Sequence, residues 1–199
     1  MATHYALSEA VLLVAACGSA IALLRSSQFI AAIACLMLAL AAGIGTWRFA
    51  SGAITQLATL HQTVSQLGAV AGLGLFALCF FRLAAVADLN TPAAKLIALT
   101  VLPTLALLVI VVFSLSTFLS MLPIILALTG LLLVFLLKEK RPWQRFANTA
   151  AYGLFLANVL LIRKAPWLDA AVSWHAFHLV LALWLVLTTR LILRHIEEN

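Results

Sequence analysis

From Leu96 to Leu137 the chain runs for 42 residues without a charged side chain. At about 20 residues per crossing, that run is long enough for two membrane-spanning helices. Further uncharged runs cover 26–47, 49–81, 146–162 and 170–189. With the apolar stretch 10–24 they give seven predicted spans, at about 6–24, 28–47, 55–81, 96–115, 119–137, 146–163 and 169–191. Backbone groups in hydrocarbon must bond within their own segment, so each span is predicted to be a helix. The alternating short strands of a β-barrel are not visible. Composition excludes a soluble domain: 65% of the 199 residues are hydrophobic and only 9% are charged, too few to cover a water-facing surface. The expected fold is an all-α seven-transmembrane bundle, one domain over residues 1–199.

A net charge of +6 on such a chain is read as a topology signal rather than as a nucleic-acid footprint. Seven spans put Arg25, Arg82, Lys95, Lys138, Lys140, Arg141, Arg145, Arg190 and Arg194 on one side, and Arg48, Arg163 and Lys164 on the other. The richer side is cytoplasmic by the positive-inside rule, which sets the N-terminus outside and the C-terminus inside. The expected location is a bacterial inner (plasma) membrane. MATHYALSEA lacks the basic start of a signal peptide, so the first span is read as a mature helix. Trp47 and Trp167 fall at predicted outer boundaries and Trp143 at an inner one, as in an aromatic belt. TPAAK at 91–95 reads as a helix start, and Pro103 and Pro123 as kinks in the fourth and fifth spans. Gly68, Gly72 and Gly74 let the third span approach a neighbour closely. Cys17, Cys35 and Cys79 lie in apolar spans without metal-type spacing and read as small core residues.

The charge topology brings polar residues to one depth. The third and seventh spans both start outside, so His61 lies about two turns below the outer surface. His175 and His178 lie about 9 and 14 Å below the start of the seventh span. Ser8 and Glu9 on the first span, and Asn158 near the exit of the sixth, come close to the same level. His175 and His178 are three residues apart and project from one helical face, so both can ligate one ion. His61, Ser65, Gly68 and Gly72 share a face of the third span, with Gln62 and Gln66 beside it. That face is too polar for lipid and is expected to line the bundle interior or an outward-facing cavity. Three histidines with an open fourth position form the pattern of a catalytic zinc. Glu9 or Asp169 are the candidate bases, and Ser65 and Asn158 candidate substrate or oxyanion donors.

Each residue also has a structural alternative. An intramembrane histidine can bond a neighbouring helix, Glu9 can favour a helix start through the dipole, and Asp169 can be a helix-start residue. Asn158 can bridge helices, Ser65 can be a small packing residue, and His4 and His195 read as terminal and solvated.

Seven helices in about 200 residues, with His61 on an early span and WHAFHLVLALW on the seventh, resemble the CREST superfamily of membrane hydrolases, which includes the alkaline ceramidases and the progestin and adipoQ receptors. The resemblance implies a zinc held by three histidines, with Ser and Asp nearby, hydrolysing a lipid amide or ester within the bilayer. The chain departs from the family pattern in three places. Its pair is spaced His175-x-x-His178 rather than His-x-x-x-His. Leu57 stands four residues before His61, where the family has Ser. No Asp follows His61 on the same span before Asp88, at its inner end. The leading expectation is therefore a zinc-dependent hydrolase with a membrane lipid as substrate, His61, His175 and His178 as metal ligands, and Glu9, Ser65 and Asn158 in the chemistry. One alternative is a haem b electron-transfer protein with His61 and one of the pair as axial ligands. Another is a non-enzymatic receptor, transporter or assembly factor that relays protons through its histidines.

Overall fold

The structure is a computed structural model that describes residues 3–86, 122–137, 142–163 and 165–198. The predicted fourth span at 96–115, the TPAAK start, Pro103 and the basic stretch 138–141 lie outside the described residues. Within them the chain forms six helices and no strands: α1 (Tyr5–Arg25), α2 (Phe29–Ala50), α3 (Ala58–Val86), α4 (Leu122–Leu136), α5 (Pro142–Ala157) and α6 (Ala170–Glu198). Five helical stretches are long and apolar enough to cross a membrane: Tyr5–Arg25, Phe29–Ala50, Ala58–Ala84, Pro142–Ile162 and Ala170–Glu198. This supports an integral membrane protein. Large apolar side chains such as Leu7, Val14, Phe29, Leu40, Leu132 and Phe146 face outward, as a lipid-exposed surface requires and a water-exposed one penalises.

Each described helix packs on the next in order, and α6 returns to α1, closing a ring. Contacts show two antiparallel neighbours, α2 with α3, where Arg48 meets His61, and α5 with α6, where Asn148 meets Arg194. The closing pair differs, since Ser8 meets His175 and the groove around Gly18 reaches Thr189, so α1 and α6 run parallel. The core is made of small residues on α1 and α2 (Ala16, Ala20, Ala31, Ala34, Cys35) and of rings deeper between α3, α5 and α6. There Phe76, Tyr152 and Phe155 all contact the fully buried Trp184.

Two of the predicted glycine contacts are backbone approaches. A Cβ on Gly68 would stand 3.0 Å from the Met37 carbonyl oxygen, and one on Gly72 3.3 Å from that of Ala34. These positions set how closely α3 lies on α2; Gly74 meets only the Leu126 side chain at ordinary contact distance.

Three features differ from the sequence expectation. The chain after Ala157 widens into a π-helical turn, Asn158–Ile162, before α6. The last helix runs on past 191 to Glu198, held by an Arg194–Glu198 pair one turn apart and by Arg194 on Asn148 of α5. His195 is consequently buried rather than solvated. Asp169, in agreement with its reading as a helix-start residue, accepts from the backbone N–H groups of Ala171 and Val172 at the beginning of α6.

Substituting Gly68 by Leu is expected to lower stability by about 1–3 kcal/mol, because α2 must move away. Gly18→Leu, whose Cβ meets nothing within 4 Å, is the control and should leave the unfolding midpoint unchanged or raised. Thermal unfolding of both variants in the same detergent measures the difference.

Candidate functional site

The helices α1, α3 and α6 all begin at one end of the bundle, and α2 ends there. Glu9 is the fifth residue of α1, His61 the fourth of α3 and His178 the ninth of α6. Their side chains converge inside the ring. Glu9 is 1% exposed, and the two histidines are buried beside it. His61 Nε2 lies 3.4 Å and His178 Nε2 3.3 Å from the same oxygen, Glu9 Oε1. Both contacts are within ion-pair distance, but neither meets the angles of a good hydrogen bond, so Oε1 is a buried acceptor without a well-formed hydrogen bond. Gly45 of α2 provides the space: a Cβ there would stand 2.5 Å from the Glu9 carboxyl carbon.

The far sides of the two rings fix their proton positions. His178 Nδ1 is 2.8 Å from the Trp174 carbonyl oxygen, one turn back on α6. A carbonyl only accepts, so Nδ1 carries the proton and a neutral His178 turns a lone pair toward Glu9. Two lone-pair-bearing atoms 3.3 Å apart in a buried site repel each other. A proton shared between His178 and Glu9, or a cation, would relieve that repulsion. His61 is the reverse case. Arg48, at the end of α2, donates from a guanidinium nitrogen to His61 Nδ1 at 3.2 Å, which leaves the His61 proton on Nε2, facing Glu9. Arg48 is itself anchored by its Nε–H on the Ile54 carbonyl, 2.8 Å, and lies over the Phe49 ring.

His175 does not join this group. Ser8 donates to the Tyr5 carbonyl, so its oxygen accepts from His175 Nδ1–H at 3.0 Å. His175 Nε2 then accepts from His4 Nδ1–H at 2.9 Å. His4 thus belongs to a small polar chain at the bundle end rather than standing alone in solvent. Asn158 spends its amide N–H on the Phe177 carbonyl at 2.8 Å, joining the π-helical turn to α6 just before His178. Ser65 is half-buried one turn along α3 from His61. Among the described residues no three His, Cys, Asp or Glu side chains surround one common point; the two imidazoles surround the Glu9 oxygen itself.

Where an outward-facing polar cavity is predicted, the structure has a layer of aromatic rings. Tyr5 is one turn before Glu9, Phe49 one turn after Gly45 and Trp174 one turn before His178. Their ring centroids are each 5.4 Å apart, with edge-on contacts between Phe49 and Trp174 and between Tyr5 and Trp174. His61 packs beneath Phe49, and His178 beneath Trp174. Sequence reasoning missed Arg48, Gly45 and this layer. The available signal was the four-residue offset of each aromatic from a site position. No protein-family model, characterised protein or solved structure matches the chain.

The geometry makes Glu9 and His178 one energetic unit and leaves His175 out of it. A double-mutant cycle of Glu9→Ala with His178→Ala should show a coupling of about 0.5–3 kcal/mol, whereas Glu9→Ala with His175→Ala should be additive within about 0.5 kcal/mol. Equilibrium unfolding in mixed micelles reads both cycles, and a larger coupling to His175 would refute the assignment.

Proposed function

We propose that this chain is a membrane-embedded hydrolase that holds a divalent ion of the zinc class through Glu9, His61 and His178, and cleaves an ester or amide bond of a membrane lipid. The carrying observation is the buried Glu9 oxygen faced by two imidazole nitrogens, one of which, with its other nitrogen donating to the Trp174 carbonyl, can turn a lone pair toward it. The residue types, two imidazoles and a carboxylate, are those such an ion takes, and both ring nitrogens lie 3.3 and 3.4 Å from the same Glu9 oxygen; to surround a common point the three side chains would have to shift. His178 is oriented as a metal-binding imidazole is, with its Nδ1–H on the Trp174 carbonyl and its Nε2 turned toward Glu9. His61 would hold the ion through Nε2 with its proton on Nδ1, a tautomer that could not accept from Arg48. Glu9 takes the third place first given to His175, as a ligand in place of a free base.

When bound, such an ion supplies Lewis acidity toward the scissile carbonyl and a water acidic enough to attack near neutral pH. The protein's own residues prepare the rest. Trp174 orients His178 through its carbonyl, and Tyr5, Phe49 and Trp174 exclude water from the bundle end. Asn158 fixes α6 at Phe177, immediately behind His178, and Ser65 is left as the donor on the His61 face. Glu9 between the two imidazoles speaks for an ion and against the haem b alternative, because a macrocycle needs the space the carboxylate fills.

The finer topology belongs to the same proposal. α3 and α4 run parallel, which supports one further crossing between them, where the sequence predicts 96–115, and hence seven spans. The loop charges then put the N-terminus and the site toward the outer leaflet of a bacterial inner membrane, with the C-terminus in the cytoplasm. The CREST resemblance points to the same lipid chemistry. A second reading is favoured by one contact, Arg48 on His61 Nδ1. With that contact kept, Arg48, His61, Glu9 and His178 form a metal-free chain that moves a proton, the behaviour of a relay rather than a hydrolase.

Metal analysis separates the readings. Purified protein, stripped and reloaded, is expected to hold one zinc per chain, lost in Glu9→Ala, His61→Ala and His178→Ala but kept in His175→Ala. Protons compete for the imidazoles, so zinc content should fall as pH drops below neutral. Release of fatty acid from a lipid ester or amide in micelles should follow zinc content. A Soret band would move the assignment to haem. A protein that takes up no metal, with proton movement blocked by Glu9→Gln, would establish the relay.

A further inference from the structure

We propose that a groove between α1 and α6, at the opposite end of the bundle from Glu9, binds one anionic phospholipid, with an acyl chain in the groove and the phosphate on Arg190. The groove has a volume of about 290 Å³ and is lined by Val14, Gly18 and Ala22 of α1 and by Val186, Thr189 and Arg190 of α6, among others. Its wall is apolar, and Gly18 opens it: a Cβ there meets nothing within 4 Å. Arg190 lies 12 residues beyond His178, about 18 Å along the helix, so this site is separate from the one above and independent of its function.

Three observations select the occupant. Asp169 caps the start of α6, and Arg190 is the next charged residue on that helix, 21 residues later. That span is about 31 Å, the thickness of the hydrocarbon core, which puts Arg190 at the level of lipid phosphates. Arg190 is exposed on the lipid-facing side, and no ion pair within the described residues engages it, whereas Arg194 one turn on is held by Glu198 and Asn148. Finally, the groove wall below Arg190 is apolar and suits an acyl chain, while a phosphate beside Arg190 would give the guanidinium an acceptor; the Thr189 hydroxyl is buried toward the Cys35 thiol and stays outside the site.

The test uses the full chain reconstituted with equal amounts of phosphatidylglycerol and phosphatidylcholine, then purified in mild detergent, with retained lipid measured by mass spectrometry. About fivefold enrichment of phosphatidylglycerol is expected, the size one arginine gives at an anionic lipid surface. Arg190→Gln should bring the ratio to about one while Arg190→Lys keeps part of it. Gly18→Leu, which fills the groove without touching Arg190, should reduce the lipid retained per chain. Equal retention of the two lipids by the unaltered protein, or enrichment unchanged in Arg190→Gln, would overturn the proposal in favour of ordinary surrounding lipid. Full retention in Gly18→Leu would remove the groove from it.

Discussion

A carboxylate inside a helical bundle at membrane depth has no water to share its charge with, and the architecture around Glu9 answers that constraint. Leaving such a group ionised and unpaired costs far more than any single packing contact returns. The positive partner must therefore lie within the same ring of helices. His178 stands at 3.3 Å with its distal nitrogen already committed to Trp174, and His61 at 3.4 Å with Arg48 behind it. Gly45 is part of the same solution, because any side chain there would displace the carboxyl group. Four helices thus depend on one side chain: α1 brings the charge, α2 the space and the distal arginine, α3 and α6 the imidazoles.

The helix directions strengthen this. α1, α3 and α6 all present N-termini at the site end, with the carboxylate within the first turns of α1. Helix N-termini carry partial positive charge, and three of them around one layer offset part of the charge of Glu9. That focus follows from the two parallel pairings in the ring, α3 with α4 and α1 with α6. In a ring where every neighbour was antiparallel, one of these termini would sit at the far end.

Much of this was legible from charge spacing alone. The runs between Arg25, Arg48 and Arg82, and between Asp169 and Arg190, marked crossings, and counting them brought Glu9, His61 and His178 to one level. Gly68 and Gly72 were legible as close approaches because only a missing side chain lets two backbones meet. Rotation about the helix axis was not legible. Residues three apart are about 60° apart around a helix, which is enough for α1 to divide the pair, Ser8 taking His175 and Glu9 taking His178. Arg48 was hidden for a different reason: counted as a loop charge that sets orientation, it folds back onto His61. The π-helical turn and the extension of α6 to Glu198 were also out of reach, since both arise from contacts between helices, Asn158 with Phe177 and Arg194 with Asn148.

Charge also links the two readings of the site. With both imidazoles neutral, Glu9 and Arg48 sum to zero, and the proton on His61 Nε2 faces the carboxylate. Adding a divalent ion beside three helix N-termini raises the local charge to +2 unless something leaves. The group best placed to leave is Arg48, because His61 can ligate only by moving its proton to Nδ1, the atom on which Arg48 donates. On the proposed reading, metal binding and the Arg48–His61 contact would therefore exclude each other, and a freed Arg48 would lie at the end of α2 beside the exposed Trp47.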